Sequence, residues 1–356
     1  MGLNLSNKVN FHFICTNFGS NKDGIGHYTS KIVNELQNNK SLKTHVYSQN
    51  TSHLSKLKLF LSLGMTKQIL KVIKNVFRSK NKNFIFLEYP FVEYNPVFLL
   101  ALFFLKATKN KNTKIVISLH EYSRTKKLRK FFIELLIPFS DIVLYTREYD
   151  IKPFKTKKIY FKKRIIPANI EPSNEEVFVL DKELINICFF GIINFKTKEI
   201  HTMIKAWEMY KKENSNTKIC FHFISSSYNK IIENSTCLKY YYNLEDKKVS
   251  NILTEMTYII LPLKPKISIN NGSLSVGCIH NCIPIGIFDP QYFDADFGIP
   301  MDDYSIEEFT KVYKLIENLD FIILKDQLIK AKTYGEMKSV KNSSSSYLEL
   351  INLSLC

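Results

Sequence analysis

The sequence predicts an α/β protein built from two doubly wound domains, each a parallel sheet with helices on both faces. Three observations carry this. Short apolar runs rich in Ile, Val and Phe alternate with segments of helical period along most of the chain. The 356 residues are too many for one comfortable core and suit two domains of ordinary size. Between the two alternating series lies RIIPANIEPSNEE, with two prolines and no hydrophobic period, the mark of a linker.

In the first series the strands are KVNFHFIC, THVYS, NFIFLEY, KIVISLH and DIVLYT. Between them fall DGIGHYTSKIVNEL, with Tyr28, Ile32, Val33 and Leu36 at helical spacing, the basic TKQILKVIKNVFRSKNK, the apolar PVFLLALFFLKA, and a helix running through Ile137. In the second series INICFFGI, KICFHFI, YIILPL and IPIGIF are strands, and HTMIKAWEMYKK, VSNILTEM and SLSVGCIHN are helices. The expected division is an N-terminal domain over 1–166, a linker over 167–184, a C-terminal domain over 185–335, and a helical tail over 336–356 that packs back on the first domain. The run SSSS at Ser343 to Ser346 is expected to interrupt that tail. Two such domains leave a cleft between the carboxyl ends of their sheets, where doubly wound folds place ligands.

Seven scattered cysteines argue for reduced thiols and a cytoplasmic setting. Cys278 and Cys282 are expected on one face of a buried helix, with no partner set to complete a zinc site. MGLNLSNKVN has no apolar signal core, and the run VFLLALFFL falls well short of the roughly 20 residues that cross a bilayer.

Charge is strongly one-sided. Residues 1–170 hold 30 basic and 9 acidic side chains, a balance of +21, whereas 171–356 hold 20 and 24, a balance of −4. In TKQILKVIKNVFRSKNK, Ile69, Leu70, Val72, Ile73, Val76 and Phe77 share one helical face, with Lys67, Lys71, Lys74 and Arg78 mainly on the other. This is either a surface helix with a solvated basic face or a helix lying on an anionic membrane, where each basic residue contributes about 1 kcal/mol. Arg124 and Lys127 in RTKKLRKFF, and the cluster KPFKTKKIYFKKR, point toward the membrane in the same way. A net charge of +17 alone is compatible with nucleic acid, but no interleaved aromatic and basic motif of the known modules supports such a partner.

Four places carry candidate chemistry. Gly24 and Gly26 sit between a strand and a helix, and NNGSL, Asn270 to Leu274, is a second glycine-containing helix start; both suit an anion. Lys196 and Lys198 follow the strand CFFG, where lysine meets a diphosphate as a point charge. His120 and Glu121 lie just past the carboxyl end of KIVISLH.

Taken in order, DGIGHYTSKIVNEL, SLHE, DIVLYTREYD, RIIPANIE, FFGIINFKTKEIHTMIKAW and LPLKPKISINNGSL resemble the retaining nucleotide-sugar glycosyltransferases of the GT-B fold, family four, of bacterial surface-polysaccharide pathways. The last segment is the most specific. Pro262, Ile267, Ser268, Gly272, Ser273 and Leu274 match a subgroup motif in register. The resemblance implies a GT-B pair of Rossmann-like domains and transfer from a nucleotide-diphosphate sugar to a lipid-linked oligosaccharide at the inner face of the cytoplasmic membrane. It assigns Gly24 and Gly26 to the loop near the transferred sugar, and His120, with its neighbour Glu121, to the catalytic position. Lys198 would bind the leaving diphosphate, helped by Lys196, Ser268, Asn270 and the amides from Gly272 to Leu274. No cofactor beyond the donor substrate and no required metal are expected, with Asp294 and Asp296 in a solvated loop.

The sequence also departs from the family. Ile192 stands where arginine often follows the glycine of the second domain's first loop, and Asn270 where the subgroup often has arginine. Ser268 and Val276 replace paired glutamates. Lys196, Lys264 or Lys266 would have to make up the missing cations. The alternative is a nonenzymatic GT-B partner that helps another transferase bind membrane.

Overall fold

The computed structural model describes residues 9–20, 24–50, 63–77, 79–89, 96–119, 122, 127–155, 159–173, 184–235, 237–264, 266–290 and 296–353. The expected catalytic pair His120 and Glu121, the basic residues Arg78 and Arg124, and Asp294 lie outside the described residues. The chain divides into two compact units, split after Ile166 and again before Val340, so that the helix after Ser339 belongs to the first unit.

In the first unit six parallel strands lie in the order β2-β1-β3-β4-β5-β6. They are β1 (Val9–Thr16), β2 (Leu42–Gln49), β3 (Lys82–Tyr89), β4 (Thr113–Leu119), β5 (Ile142–Tyr145) and β6 (Tyr160–Lys163). The inner strands are buried on both pleat faces, and largely apolar, because helices cover both. On one side Phe11, Phe13, Phe84 and Phe86 pack with Tyr28, Ile32 and Val33 of α1 (Gly24–Gln37) and with Tyr347 and Leu350 of the returning helix (Val340–Leu353). On the other, Ile14, Ile85, Leu87, Ile115 and Ile117 meet three helices, α2 (Gly64–Phe77), α3 (Pro96–Thr108) and α4 (Lys127–Leu136).

Two features of the first unit differ from the sequence expectation. The helix Val340–Leu353 runs unbroken through the four serines. The Ser344, Ser345 and Ser346 hydroxyls donate to carbonyls three residues back, which satisfies them inside the helix. The apolar stripe of α2 faces protein: Met65, Ile69, Val72 and Val76 are in the core, leaving Lys67, Lys71 and Lys74 exposed with only Leu70 and Phe77 as large apolar neighbours.

The second unit has the order β12-β11-β10-β7-β8-β9, again with parallel pairings. Its strands are β7 (Ile185–Phe190), β8 (Ile219–Ser225), β9 (Lys239–Tyr242), β10 (Tyr258–Ile260), β11 (Ile283–Gly286) and β12 (Ile299–Pro300). Strand order reverses between β7 and β10, the switch point at which doubly wound sheets take ligands. One face carries Ile200–Glu213 and Ile306–Glu317, centred on Trp207, Tyr210 and Tyr313. The other carries Asp246–Thr254, Gly272–Ile279 and Phe321–Met337. The helix of SLSVGCIHN ends at Ile279, so Cys282 lies just beyond it rather than on a shared helix face with Cys278; both thiols are buried and free.

Candidate functional site

The strongest convergence is at the carboxyl end of β7. Gly191, the next residue, has φ +140°, and a side chain there would place its Cβ 2.9 Å from Lys198 Nζ and 3.0 Å from Ser273 Oγ. Only glycine leaves that space and adopts that backbone readily. The loop Gly191–Lys198 and the distant helix start at Ser273 therefore meet at one spot beside the switch point.

Lys198 is held there by a short antiparallel pairing of its strip with the segment after β10. It bridges Leu263, the Glu199 N–H donates to Pro262 O at 2.8 Å, and the Lys264 N–H donates to Thr197 O at 2.8 Å. The Lys198 ammonium donates to Ile192 O at 2.7 Å and lies 5.0 Å from the centre of the Phe189 ring. Burial pulls its pKa down from 10.5 to about 8.

Ser273 comes from the start of the helix Gly272–Ile279. The preceding turn is anchored from below: Ile269 O accepts from Tyr334 Oη at 2.8 Å and from Lys338 Nζ at 3.0 Å, and the Asn271 N–H donates to Ser268 O at 2.9 Å. Asn271 then caps the helix by accepting from the Leu274 N–H at 2.9 Å. Leu274's amide is thus engaged, and Gly272 and Ser273 supply the first two amides at the positive end of the helix dipole. Ser268 is buried at the base of the turn, and Asn270 Nδ2 is a buried donor with no hydrogen-bond partner among the described residues.

The other lysines contribute less. Lys196 is exposed, with its amide on Asn194 Oδ1 at 3.0 Å. Lys264 is ion-paired with Glu199, so it does not supply the cation that Ile192 lacks. Asp296 pairs with Lys330 at 3.0 Å. Sequence reasoning missed Gly191 as a site-building residue and placed Asn271 in the helix start without its role as the cap; an Asn one residue before Gly-Ser-Leu is a readable helix-cap signal, whereas the φ of Gly191 is not.

In the first unit, Gly26 approaches the end of β1 so closely that a Cβ would lie 2.1 Å from Asn17 O, while at Gly24 no atom of the described residues lies within 4 Å of that position. The Gly19 N–H donates to Gly26 O at 3.1 Å, closing the loop back on the helix. Beneath the strand ends, Arg164 and Glu88 form a fully buried ion pair at 3.2 Å. Arg164 also donates to Tyr347 Oη at 2.7 Å and to Tyr28 Oη, and Ser118 donates to Glu88 at 2.8 Å. A recess of about 340 Å³ beyond β4 and β5 is lined by Tyr122, Lys130, Tyr149, Lys152 and Pro153, with the Lys130 ammonium 5.4 Å from the Tyr122 ring centre.

No family model matches the sequence, and no curated protein does either. Solved structures do match. An E. coli trehalose-6-phosphate structure bound with UDP-2-fluoro glucose is similar over 98% of this chain and 99% of its own, with 10% identity and a TM-score of 0.62. The S. aureus MnaA co-structure with UDP matches over 97% and 96%, with 11% identity and a TM-score of 0.60. The chain has the GT-B fold. Within that fold, a weaker match is the glycosylation associate protein (Gap123) complex from Streptococcus agalactiae, over 80% of this chain and 58% of that one, at 13% identity and a TM-score of 0.50.

Proposed function

We propose that this GT-B protein is a glycosyltransferase that moves a sugar, with retention of configuration, from a nucleoside-diphosphate sugar to a lipid-linked saccharide of a bacterial surface polysaccharide. It works on the inner face of the cytoplasmic membrane. The observation that carries this is the meeting of Gly191, Lys198 and Ser273 at the β7 switch point. The Lys198 ammonium and the Gly272 and Ser273 amides receive the charge that develops on the leaving diphosphate, commonly the largest contribution in such a site. Asn270 Nδ2 supplies a further donor. Two structures of similar fold are bound to a UDP sugar or UDP, which makes uridine diphosphate the first ligand to try. These fixed positive groups act without a required divalent cation.

One alternative is a nonenzymatic partner of another transferase, favoured by the pairing of Lys264 with Glu199 and by Ile192, which offers no charge. A thermal-shift screen against UDP, GDP, CMP, ADP and their sugars, with and without magnesium, separates the two. A ligand at 100 times its Kd stabilises the fold by about 2.7 kcal/mol. A magnesium-independent shift with one nucleotide, lost in Lys198→Ala, is the expected result. No shift with any of them would shift the assignment to the nonenzymatic partner.

A further inference from the structure

We infer that the outer face of α3 and α4 is the surface that seats this protein on an anionic lipid bilayer. The inference deepens the membrane part of the function proposed above and needs none of its chemistry. A helix on the outside of a sheet ordinarily turns polar residues to water, yet PVFLLALFFLKAT is apolar on nearly every side. Its inner residues Phe98, Leu102 and Leu105 fill the core, while Leu100 is 66% exposed, Phe103 61% and Phe104 54%. On α4, on the same side of the sheet, Leu128 is 59% exposed and Phe131 54%, with Leu135 also exposed. Six large apolar side chains on one helical layer exceed the scattered exposure normal for a soluble surface.

Charge selects the occupant. Neither α2 nor α3 contains an acidic residue, and α2, packed beside α3, exposes Lys67, Lys71 and Lys74, while Lys127 opens α4. An apolar patch rimmed by lysines fits acyl chains beneath anionic headgroups: the rings enter the boundary region and the ammonium groups stay with the phosphates. A protein partner covering the same patch would strip water from those lysines without an evident reward. Among the described residues no helix is long and apolar enough to cross a membrane, so this contact is peripheral. The structure thus moves the lipid-facing apolar surface from the stripe of α2, which faces the core, to α3 and α4.

The test is co-sedimentation of the full chain with vesicles of phosphatidylcholine, with and without phosphatidylglycerol. The parent protein is expected to bind the mixed vesicles, more weakly as salt rises, and to leave neutral ones in solution. Leu100→Gln with Phe104→Gln is expected to weaken binding by more than about tenfold, as loss of two inserted side chains requires. Leu128→Gln with Phe131→Gln is a second variant on the neighbouring helix. Unchanged circular dichroism and an unchanged nucleotide response in these variants would separate a lost membrane contact from a lost fold or lost donor site. Vesicle binding as strong as the parent's in both variants would overturn the inference. So would a parent dimer that Leu100→Gln with Phe104→Gln dissociates, since a second copy would then cover the face.

Discussion

Replacing Glu88 with glutamine removes one charge from the centre of the first unit and leaves the shape nearly intact. Glu88 and Arg164 are both 0% exposed, with Oε2 and Nη1 3.2 Å apart. At an effective dielectric constant of about 20 their attraction is about 5 kcal/mol. In Glu88→Gln the guanidinium keeps the hydroxyls of Tyr28 and Tyr347 but loses the carboxylate charge of Glu88, and breaking buried pairs in this way costs about 3–5 kcal/mol. Urea unfolding with amide exchange read over β1, β3 and the helix Val340–Leu353 should show that loss, and at an m-value of about 2 kcal/mol/M the midpoint should fall by roughly 1.5–2.5 M. Glu88→Met with Arg164→Met, which removes both charges, should recover most of it. A loss below about 1 kcal/mol in Glu88→Gln would refute the reasoning, because it would mean that water or a shifted chain relieves the buried cation.

Two further predictions concern the second unit. The Lys198 amine sits at about 8 when folded and near 10.5 when unfolded, so between those values the unfolded chain binds more protons and stability rises with pH. Diphosphate favours the ammonium form, so UDP affinity measured calorimetrically should hold up to about pH 8 and fall above it, where the ligand's own phosphate, with a second pKa near 6, no longer titrates. A profile in Lys198→Ala as steep as the parent's would exclude this lysine as the source. Asn271→Ala removes the cap on the Leu274 N–H and should destabilise the second unit by about 1 kcal/mol in chemical unfolding, with Asn271→Ser largely restoring it.

Much of the fold was legible because parallel strands buried on both faces leave continuous apolar runs, as in NFIFLEY and KIVISLH. Two of the edge strands leave no such trace. β6, YFKK, lies inside what the sequence presents as a basic cluster, and β9, KYYY, is half exposed; each pairs on one side only. Periodicity showed that α2 is amphipathic but not what its apolar face meets, since lipid and a protein core impose the same 3.6-residue spacing. The opposite held for α3, whose lack of any polar face was plain in the sequence while its exposure was not. In the site, Lys198 and Ser273 were found by their places after strands, and the structure brings them to Gly191. That Lys264 is taken up by Glu199 depends on the strip Thr197–Glu199 folding against Pro262–Lys264, a long-range pairing with no local signature.

The first unit is discontinuous in sequence, and this governs the order in which the protein is made. Tyr28 and Tyr347 touch across a separation of 319 residues, with the whole second unit synthesised between them. Chains emerge at about 5–20 residues per second, so the sheet of the first unit is finished long before the helix that covers Phe13 and Phe86 exists. During that interval an apolar face and the Glu88–Arg164 pair stand open to water and to chaperones. A ribosome that stopped just before Val340 would release a chain with a complete second unit and an unfinished first one, which gives quality control a specific surface by which to recognise the truncated product.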